Sequence, residues 1–225
     1  MQNLKVIFED NHIIVVEKQP NIPSQSDKTG DIDMLTLVKN YIKEKYNKPG
    51  NVYLGLVHRL DRPVGGIMIF AKTSKAASRL SNQVREKVFK KKYLAVVDGK
   101  LEKTEGTLEN YLYKDERNNI SKVVNKDKKN AKIAKLDYKV LKYNELKDLS
   151  LLEINLYTGR HHQIRVQLAN FGHSIFGDQK YGSRGKGKQI ALWAHELTIE
   201  HPITKEKMPF KDLPEPIGTW CILKD

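Results

Sequence analysis

The chain has 225 residues, with 40 lysines and arginines against 27 aspartates and glutamates, giving a formal net charge of +13 at pH 7. This balance predicts a polyanionic partner, although ordinary solubility accounts for a basic composition equally well. The single cysteine, Cys221, excludes an internal disulfide framework and a cysteine-based zinc site.

Length and hydropathy favour a globular protein without a membrane segment. Residues 1–225 suffice for one domain with its own core, either as a single body or as two lobes that share a sheet. No apolar run is long enough to cross a bilayer, and residues 1–5 lack the apolar segment of a signal peptide. We therefore expect a cytoplasmic protein, with a monomer as the default oligomeric state.

The first predicted elements are a β-hairpin and a helix. The hairpin strands cover residues 6–8 and 13–17, on either side of a polar connection. Residues 20–33 carry proline and glycine among polar residues, which predicts a loop. Apolar residues then recur at helical spacing over residues 34–46.

A buried strand and a second helix are predicted next. The apolar run at residues 67–71 indicates the strand. Ser74 is the predicted N-cap of the helix, whose apolar residues repeat every three or four positions. These apolar residues are Ala77, Leu80, Val84 and Val88.

The second half of the chain is rich in predicted strands. They cover residues 93–97, 106–113, 133–143 and 150–157. The lysine-rich residues 126–132 are predicted to form a hairpin connection whose charge suits a phosphate backbone. Strands with helices between them indicate an α+β fold with a mixed, largely antiparallel central sheet and flanking helices.

The most informative motif is His-Arg-Leu-Asp-Arg-Pro-Val-Gly-Gly at residues 58–66. Asp61 lies between Arg59 and Arg62, and fixed cations on both sides favour the ionised carboxylate. The proline and glycines predict a rigid turn in which the backbone can approach another segment closely. A charged and positioned carboxylate suits catalysis or binding. Taken alone, however, the motif is also typical of a surface ion-pair network.

A second arginine-rich motif, Gly-Arg-His-His-Gln-Ile-Arg at residues 159–165, favours the functional interpretation. With both motifs, the chain resembles the RluA-type pseudouridine synthases. The resemblance extends over nearly the whole chain and keeps the family's order of motifs. Its blocks are residues 7–18, 58–66, 92–99, 159–166, 172–178 and 181–182.

The resemblance implies the pseudouridine synthase fold, with a twisted central sheet and a central RNA-binding cleft. It implies a uridine of ribosomal or transfer RNA as the substrate, and no small-molecule cofactor. The chain begins almost directly at the catalytic domain, so we expect it to lack the S4-like RNA-binding domain that many members carry. Gln167 stands where the family often has histidine, which weakens any assignment to a subgroup.

The resemblance also implies the catalytic residues. Asp61 is the catalytic carboxylate, either as a nucleophile at the ribose C1′ or as the base that removes the 2′ proton. Arg165 is its salt-bridge partner, a role that suits a guanidinium because its fork is planar and permanently charged. Tyr93 offers an aromatic face to the flipped uracil and a phenol that can relay a proton.

Five further residues are predicted to contact RNA. Arg59 takes the space vacated by the flipped base or grips its phosphate, and Ile164 is an apolar wall against the base. Arg160 and Lys92 are phosphate contacts, and Arg62 is counted with them as RNA-binding.

Other interpretations are weaker. Adjacent histidines on a helix point about 100° apart, so His161 and His162 are not expected to share a metal, and we predict structural hydrogen bonds for His162. A protein kinase is excluded because the sequence lacks its Asp-Phe-Gly motif and glycine-rich phosphate loop. The remaining alternative is a non-catalytic RNA-binding or ribosome-assembly protein, for which the Asp61 carboxylate would be a disadvantage beside RNA.

Overall fold

The computed structural model describes residues 4–185 and 188–224. The chain forms two compact units, Met1–Lys90 with Ala194–Leu213 and Lys91–Trp193 with Pro214–Asp225. No helix among the described residues is long and apolar enough to cross a membrane. In chain order, the elements are β1 (Val6–Glu9), β2 (Ile13–Lys18), α1 (Met34–Lys45), β3 (Gly55–Leu56), β4 (Gly65–Ala71), α2 (Ser74–Arg85), β5 (Lys90–Asp98), β6 (Glu105–Asp115), β7 (Ile120–Val124), β8 (Lys132–Asn144), β9 (Leu149–Leu156), α3 (Gln163–Asn170), β10 (Leu192–Glu200), β11 (Lys207–Lys211) and a 3₁₀ helix (Gly218–Leu223).

The first unit is built on the apolar strands β2 and β4, whose residues are buried throughout. These strands pair antiparallel with each other, and β1 pairs with β2. Strand β3 pairs with the carboxyl-terminal end of β4. Strand β10 lies on the other side of β4 and pairs with β11. Because both faces of β2 and β4 are covered, a continuous apolar run replaces the alternation of a half-exposed strand. The predicted hairpin and the strand at residues 67–71 are confirmed.

Both predicted helices form, and their caps follow the expected chemistry with one correction. Asp33 caps α1 by accepting a hydrogen bond from the Thr36 amide. The cap of α2 is Thr73 rather than Ser74, since Thr73 has the extended backbone of an N-cap and its hydroxyl accepts from the Ala76 amide. The helix ends at Arg85, so Val88 lies outside it, contrary to the predicted apolar stripe.

The second unit contains the antiparallel strands β5, β9, β8, β6 and β7, in that spatial order. Four of them confirm predicted strands, whereas β7 was not predicted. Its residues, Ile-Ser-Lys-Val-Val, are too few and too mixed to stand out, and pairing with β6 makes them a strand. The lysine-rich residues 126–132 connect β7 to β8, and Lys132 already belongs to β8. These two strands lie on opposite sides of β6, so the connection crosses β6 and is not the hairpin that the sequence predicts.

Helix α3 packs on one face of the strands of this second unit. Val166 on α3 clusters with Leu112 of β6 and Ala134 of β8. The side-chain amide of Gln167, which is almost fully buried, donates to the Leu108 and Ala134 carbonyls. The residue that departs from the family pattern is therefore a structural anchor that fixes α3 against the strands.

Candidate active site

Asp61 lies in the connection between β3 and β4, the strand–loop–strand junction that its motif predicts. The loop is held from several sides by buried side chains. Nε2 of His58 accepts a hydrogen bond from the Ile69 amide of β4. The buried Ser24 hydroxyl donates to the Leu60 carbonyl at 2.7 Å and accepts from the Leu60 amide at 3.1 Å. These two hydrogen bonds fix the backbone of Leu60, the residue that precedes Asp61.

Lys18 also holds this loop, through hydrogen bonds to its backbone. Its side chain is 0% exposed. Its ammonium group donates to the carbonyl of Val64 at 2.6 Å, that of Arg62 at 2.9 Å and that of Gln19 at 3.2 Å. Burial lowers the pKa of Lys18 to about 7, against the attraction of the Asp61 carboxylate, which raises it.

The backbone of the loop closes into a turn at Asp61. The Val64 amide donates to the Asp61 carbonyl at 2.9 Å, and the Asn21 amide donates to the Arg62 carbonyl at 2.8 Å. The Asp61 side chain is half-buried, whereas Arg59 is exposed. Arg59 makes no hydrogen bond or ion pair within residues 4–185 and 188–224, so its guanidinium is available to a ligand.

Gly66, the second of the two glycines at the end of the motif, occupies a position that requires glycine. Its φ of +121° disfavours any residue with a side chain. A Cβ there would lie 2.3 Å from the Ala194 carbonyl oxygen of β10. The close backbone approach that the sequence predicts is therefore confirmed at Gly66.

Arg62, by contrast, is engaged by residues of the loop between β2 and α1. Its Nη1 donates to the Thr29 hydroxyl at 3.0 Å and lies 3.6 Å from a carboxylate oxygen of Asp27. Its Nη2 forms an ion pair with Asp31. The predicted RNA-binding role of Arg62 stays a prediction, and its acidic neighbours were not anticipated.

Tyr93 lies in β5 of the second unit and is mostly buried. It pairs across the sheet with Ile154 of β9, which in turn pairs with Tyr138 of β8. Opposite residues of paired strands lie on the same face, so Tyr93, Ile154 and Tyr138 share one face of the sheet. Helix α3 packs on that face, where it contacts Ala134 of β8. Lys92 points to the other face and contacts Glu153 at 3.4 Å.

Arg165 on α3 forms a bidentate pair with Asp178, both of whose bonds measure 2.7 Å. Arg165 is 4% exposed and Asp178 1% exposed. The guanidinium carbon also lies 5.3 Å from the centre of the Tyr181 ring. Two fixed acceptors and a ring face thus set the plane of the guanidinium. The pairing of Arg165 with Asp61 that the resemblance implies stays a prediction.

The two histidines of the second motif do not lie on a helix, which corrects the expectation that they point apart. They precede α3, His162 has a φ of 52°, and the two rings stack with centroids 3.8 Å apart. Nδ1 of His162 lies 2.9 Å from the Tyr181 hydroxyl, which also accepts from the Ser121 amide at 2.7 Å. His162 is thus structural, as predicted. Burial and, secondarily, the charge of Arg165 lower its pKa to about 2.

The last two predicted RNA contacts lie at the start of α3. Arg160 is exposed, and its Nε donates to the Ile133 carbonyl at 2.9 Å. Ile164 is buried. No group of three or more histidine, cysteine, aspartate or glutamate side chains among the described residues could hold a metal ion.

Sequence reasoning assigned no role to Lys18, Asp178 or Tyr181. All three lie inside blocks of the family resemblance, which was the only signal available. A buried lysine in an opening strand, or an aspartate after a glycine, has no local pattern that reveals its partner.

A solved human protein shares this fold. The structure of human RNA Pseudouridylate Synthase Domain Containing 4 superimposes with a TM-score of 0.78 at 20% identity, covering 94% of this chain and 89% of that one. At this identity the likeness shows the fold alone, which is the α+β fold of pseudouridylate synthase domains.

Sequence similarity carries the assignment further. The family described as RNA pseudouridylate synthase matches residues 12–170. The uncharacterized RNA pseudouridine synthase YhcT of Bacillus subtilis is 35% identical over 205 residues, 90% of this chain and 66% of that protein. Ribosomal large subunit pseudouridine synthase C of Rickettsia prowazekii is 33% identical over 216 residues, 91% of this chain and 68% of that protein.

The chain therefore belongs to the RNA pseudouridylate synthase family, enzymes that isomerise uridine to pseudouridine in RNA. It spans about two thirds of the length of the two relatives just compared.

Proposed function

We propose that the chain isomerises one uridine of ribosomal or transfer RNA to pseudouridine, with Asp61 as the catalytic carboxylate. The observation that carries this proposal is the support of the Asp61 loop by Lys18, Ser24 and His58. A surface ion pair needs no buried anchors, whereas a reacting group must be held in one position.

The reaction conserves every atom of the nucleotide. The bond from C1′ to N1 breaks, the base rotates, a bond from C1′ to C5 forms, and the proton on C5 is lost while N1 gains one. Asp61 starts it by attacking C1′ or by removing the 2′ proton, and both routes remain open. Because no electrons are exchanged with a second reactant, the reaction needs no redox cofactor.

The other predicted residues act on the flipped uridine and its neighbours. Flipping costs a few kcal/mol of stacking, which contacts to the RNA must supply. Tyr93 stacks on the uracil and relays a proton, and Arg165 is the cation partner of Asp61. Ile164 lies against the base. Phosphate contacts come from the remaining predicted cations, Arg59, Arg62, Lys92 and Arg160.

We further infer that the chain acts as one catalytic domain, as a monomer, in the cytoplasm where its RNA substrates are found. The names of relatives such as the Rickettsia prowazekii enzyme favour ribosomal over transfer RNA.

The test compares wild type with Asp61→Asn and Asp61→Ala on total RNA from cells that lack the gene. Release of tritium from C5 of labelled uridine reports turnover, and carbodiimide mapping of the RNA identifies the site. We expect both variants to lose at least ~10²- to 10⁴-fold in rate. RNA affinity should be unchanged or tighter, because a negative charge beside the backbone is removed.

Glu44→Gln is the control, since Glu44 is an exposed carboxylate on α1. It should turn over like wild type. Normal turnover by Asp61→Asn would exclude Asp61 as the catalytic residue. If wild type binds RNA but modifies no site, the chain is instead an RNA-binding protein on the same fold.

A further inference from the structure

The loop between β2 and α1 places two carboxylates and a hydroxyl on the guanidinium of Arg62. We call Asp27, Thr29 and Asp31 the acidic clasp. Asp31 pairs with Nη2, and the Thr29 hydroxyl accepts from Nη1 at 3.0 Å. Asp27 lies 3.6 Å from the same nitrogen. The clasp thus surrounds the donor edge of the one arginine that directly follows Asp61.

The clasp also has hydrogen bonds of its own that do not involve Arg62. The Thr29 amide donates to the Asp27 carboxylate at 2.9 Å, and the Asp31 amide donates to the Thr29 hydroxyl at 3.3 Å. The hydrogen bonds from Thr29 lower the pKa of Asp27, and the hydrogen bond from Arg62 lowers that of Asp31. Both acids are therefore ionised at neutral pH, and the loop presents a preformed pair of negative charges.

These contacts are exposed, and exposed ion pairs contribute little because water and salt screen them. A buried pair would hold Arg62 permanently. An exposed one exchanges easily for another anion with the same geometry. The oxygens of a phosphodiester offer a guanidinium the same planar arrangement of acceptors as a carboxylate.

We propose that the acidic clasp occupies, on Arg62, the position that a phosphate of the substrate RNA takes, so that RNA binding displaces Asp27 and Asp31. This inference rests on the proposed function, because it takes RNA as the ligand beside Asp61. The clasp then acts as a filter. An RNA gains the Arg62 contact only by presenting a phosphate close enough to Asp61 to displace both carboxylates.

The test measures binding of a short fluorescein-labelled RNA stem-loop by fluorescence anisotropy. Asp27→Asn/Asp31→Asn should bind about two- to five-fold more tightly than wild type, the factor that an exposed ion pair is worth. The control Glu44→Gln/Glu86→Gln removes the same charge from exposed positions of the same unit. Any gain from the general charge change appears equally in this control.

The decisive measurement repeats both double substitutions in an Arg62→Ala background. If the clasp competes for Arg62, the clasp substitutions lose their advantage over the control once Arg62 is absent. An advantage that persists without Arg62 overturns the proposal, as does affinity no tighter than that of the control in the presence of Arg62. The single variant Asp31→Asn should show part of the gain, which guards against an effect of the double substitution on folding.

This experiment separates the clasp from the proposed function. Binding is read without turnover, so tighter binding by the clasp variant in a chain that modifies no RNA would support the clasp and reject the catalytic proposal. In an active enzyme, the clasp variant should keep the single-turnover rate at saturating RNA and change only the RNA concentration needed to reach it.

Discussion

Replacing Lys18 with methionine tests whether the buried ammonium group holds the Asp61 loop. Methionine has a similar length and fills the same space, so the substitution removes the hydrogen bonds with little change in packing. Three carbonyls lose a donor, namely those of Gln19, Arg62 and Val64. The Arg62 carbonyl keeps the Asn21 amide as a second donor.

The magnitude follows from these contacts. A buried acceptor that loses its donor lowers the free energy of unfolding by about 1–3 kcal/mol. The full cost applies to the Val64 carbonyl at 2.6 Å, and less to the other two carbonyls. Removing a charge that burial disfavours offsets part of this cost, as the lowered pKa of Lys18 indicates. We expect the free energy of unfolding of Lys18→Met to be about 2 kcal/mol lower than that of wild type, and its Tm to be ~4–8 °C lower for a chain of this size.

The loop should also lose its position, because Arg62 directly follows Asp61 and Val64 lies three residues after it. A displacement of one ångström at a reacting group costs on the order of 10²-fold in rate. Urea unfolding measures the stability, and single-turnover pseudouridine formation below the Tm of the variant measures the rate. Lys75→Met is the control, since Lys75 is exposed in the same unit.

Two outcomes would refute this reasoning. If Lys18→Met keeps the urea midpoint of wild type, the carbonyls find other donors and the ammonium group is not a support. If the variant is destabilised but reacts at the wild-type rate, Lys18 stabilises the fold without positioning Asp61.

Two further predictions concern the second unit. Asp178→Asn leaves Arg165 as a buried cation with a weakened partner, so its free energy of unfolding in urea should fall by about 3 kcal/mol and it should react more slowly. The control Glu102→Gln, which changes an exposed carboxylate of the same unit, should do neither. His162→Asn keeps an acceptor near the Tyr181 hydroxyl but does not titrate. His162 stays neutral in the folded chain down to about pH 2, whereas in the unfolded chain it is protonated below its ordinary pKa of 6.5. Between these two values the unfolded chain therefore binds more protons, and the stability of the fold decreases as the pH is lowered. Wild type should therefore lose about 2 kcal/mol more than His162→Asn between neutral pH and about pH 5, and equal losses would contradict this assignment.

The amino-acid sequence by itself determined the elements whose signals are local. The hairpin follows from its polar connection between two short apolar strands, α1 from apolar residues at helical spacing, and the buried strand β4 from a continuous apolar run. The junction at Asp61 and the close approach at Gly66 follow from the residues of one motif, because turn geometry depends on neighbouring residues.

Only the tertiary structure decided which residues support these elements. Strand β7 exists because β6 lies beside it, and the histidines stack because a turn replaces the expected helix. The contacts of Lys18 with the Asp61 loop, of Arg165 with Asp178, and of Arg62 with the acidic clasp join residues that a local pattern does not relate. Hydrogen bonds and ion pairs act over about 3 Å in space, whatever the separation of the residues in the chain, and folding alone sets those distances.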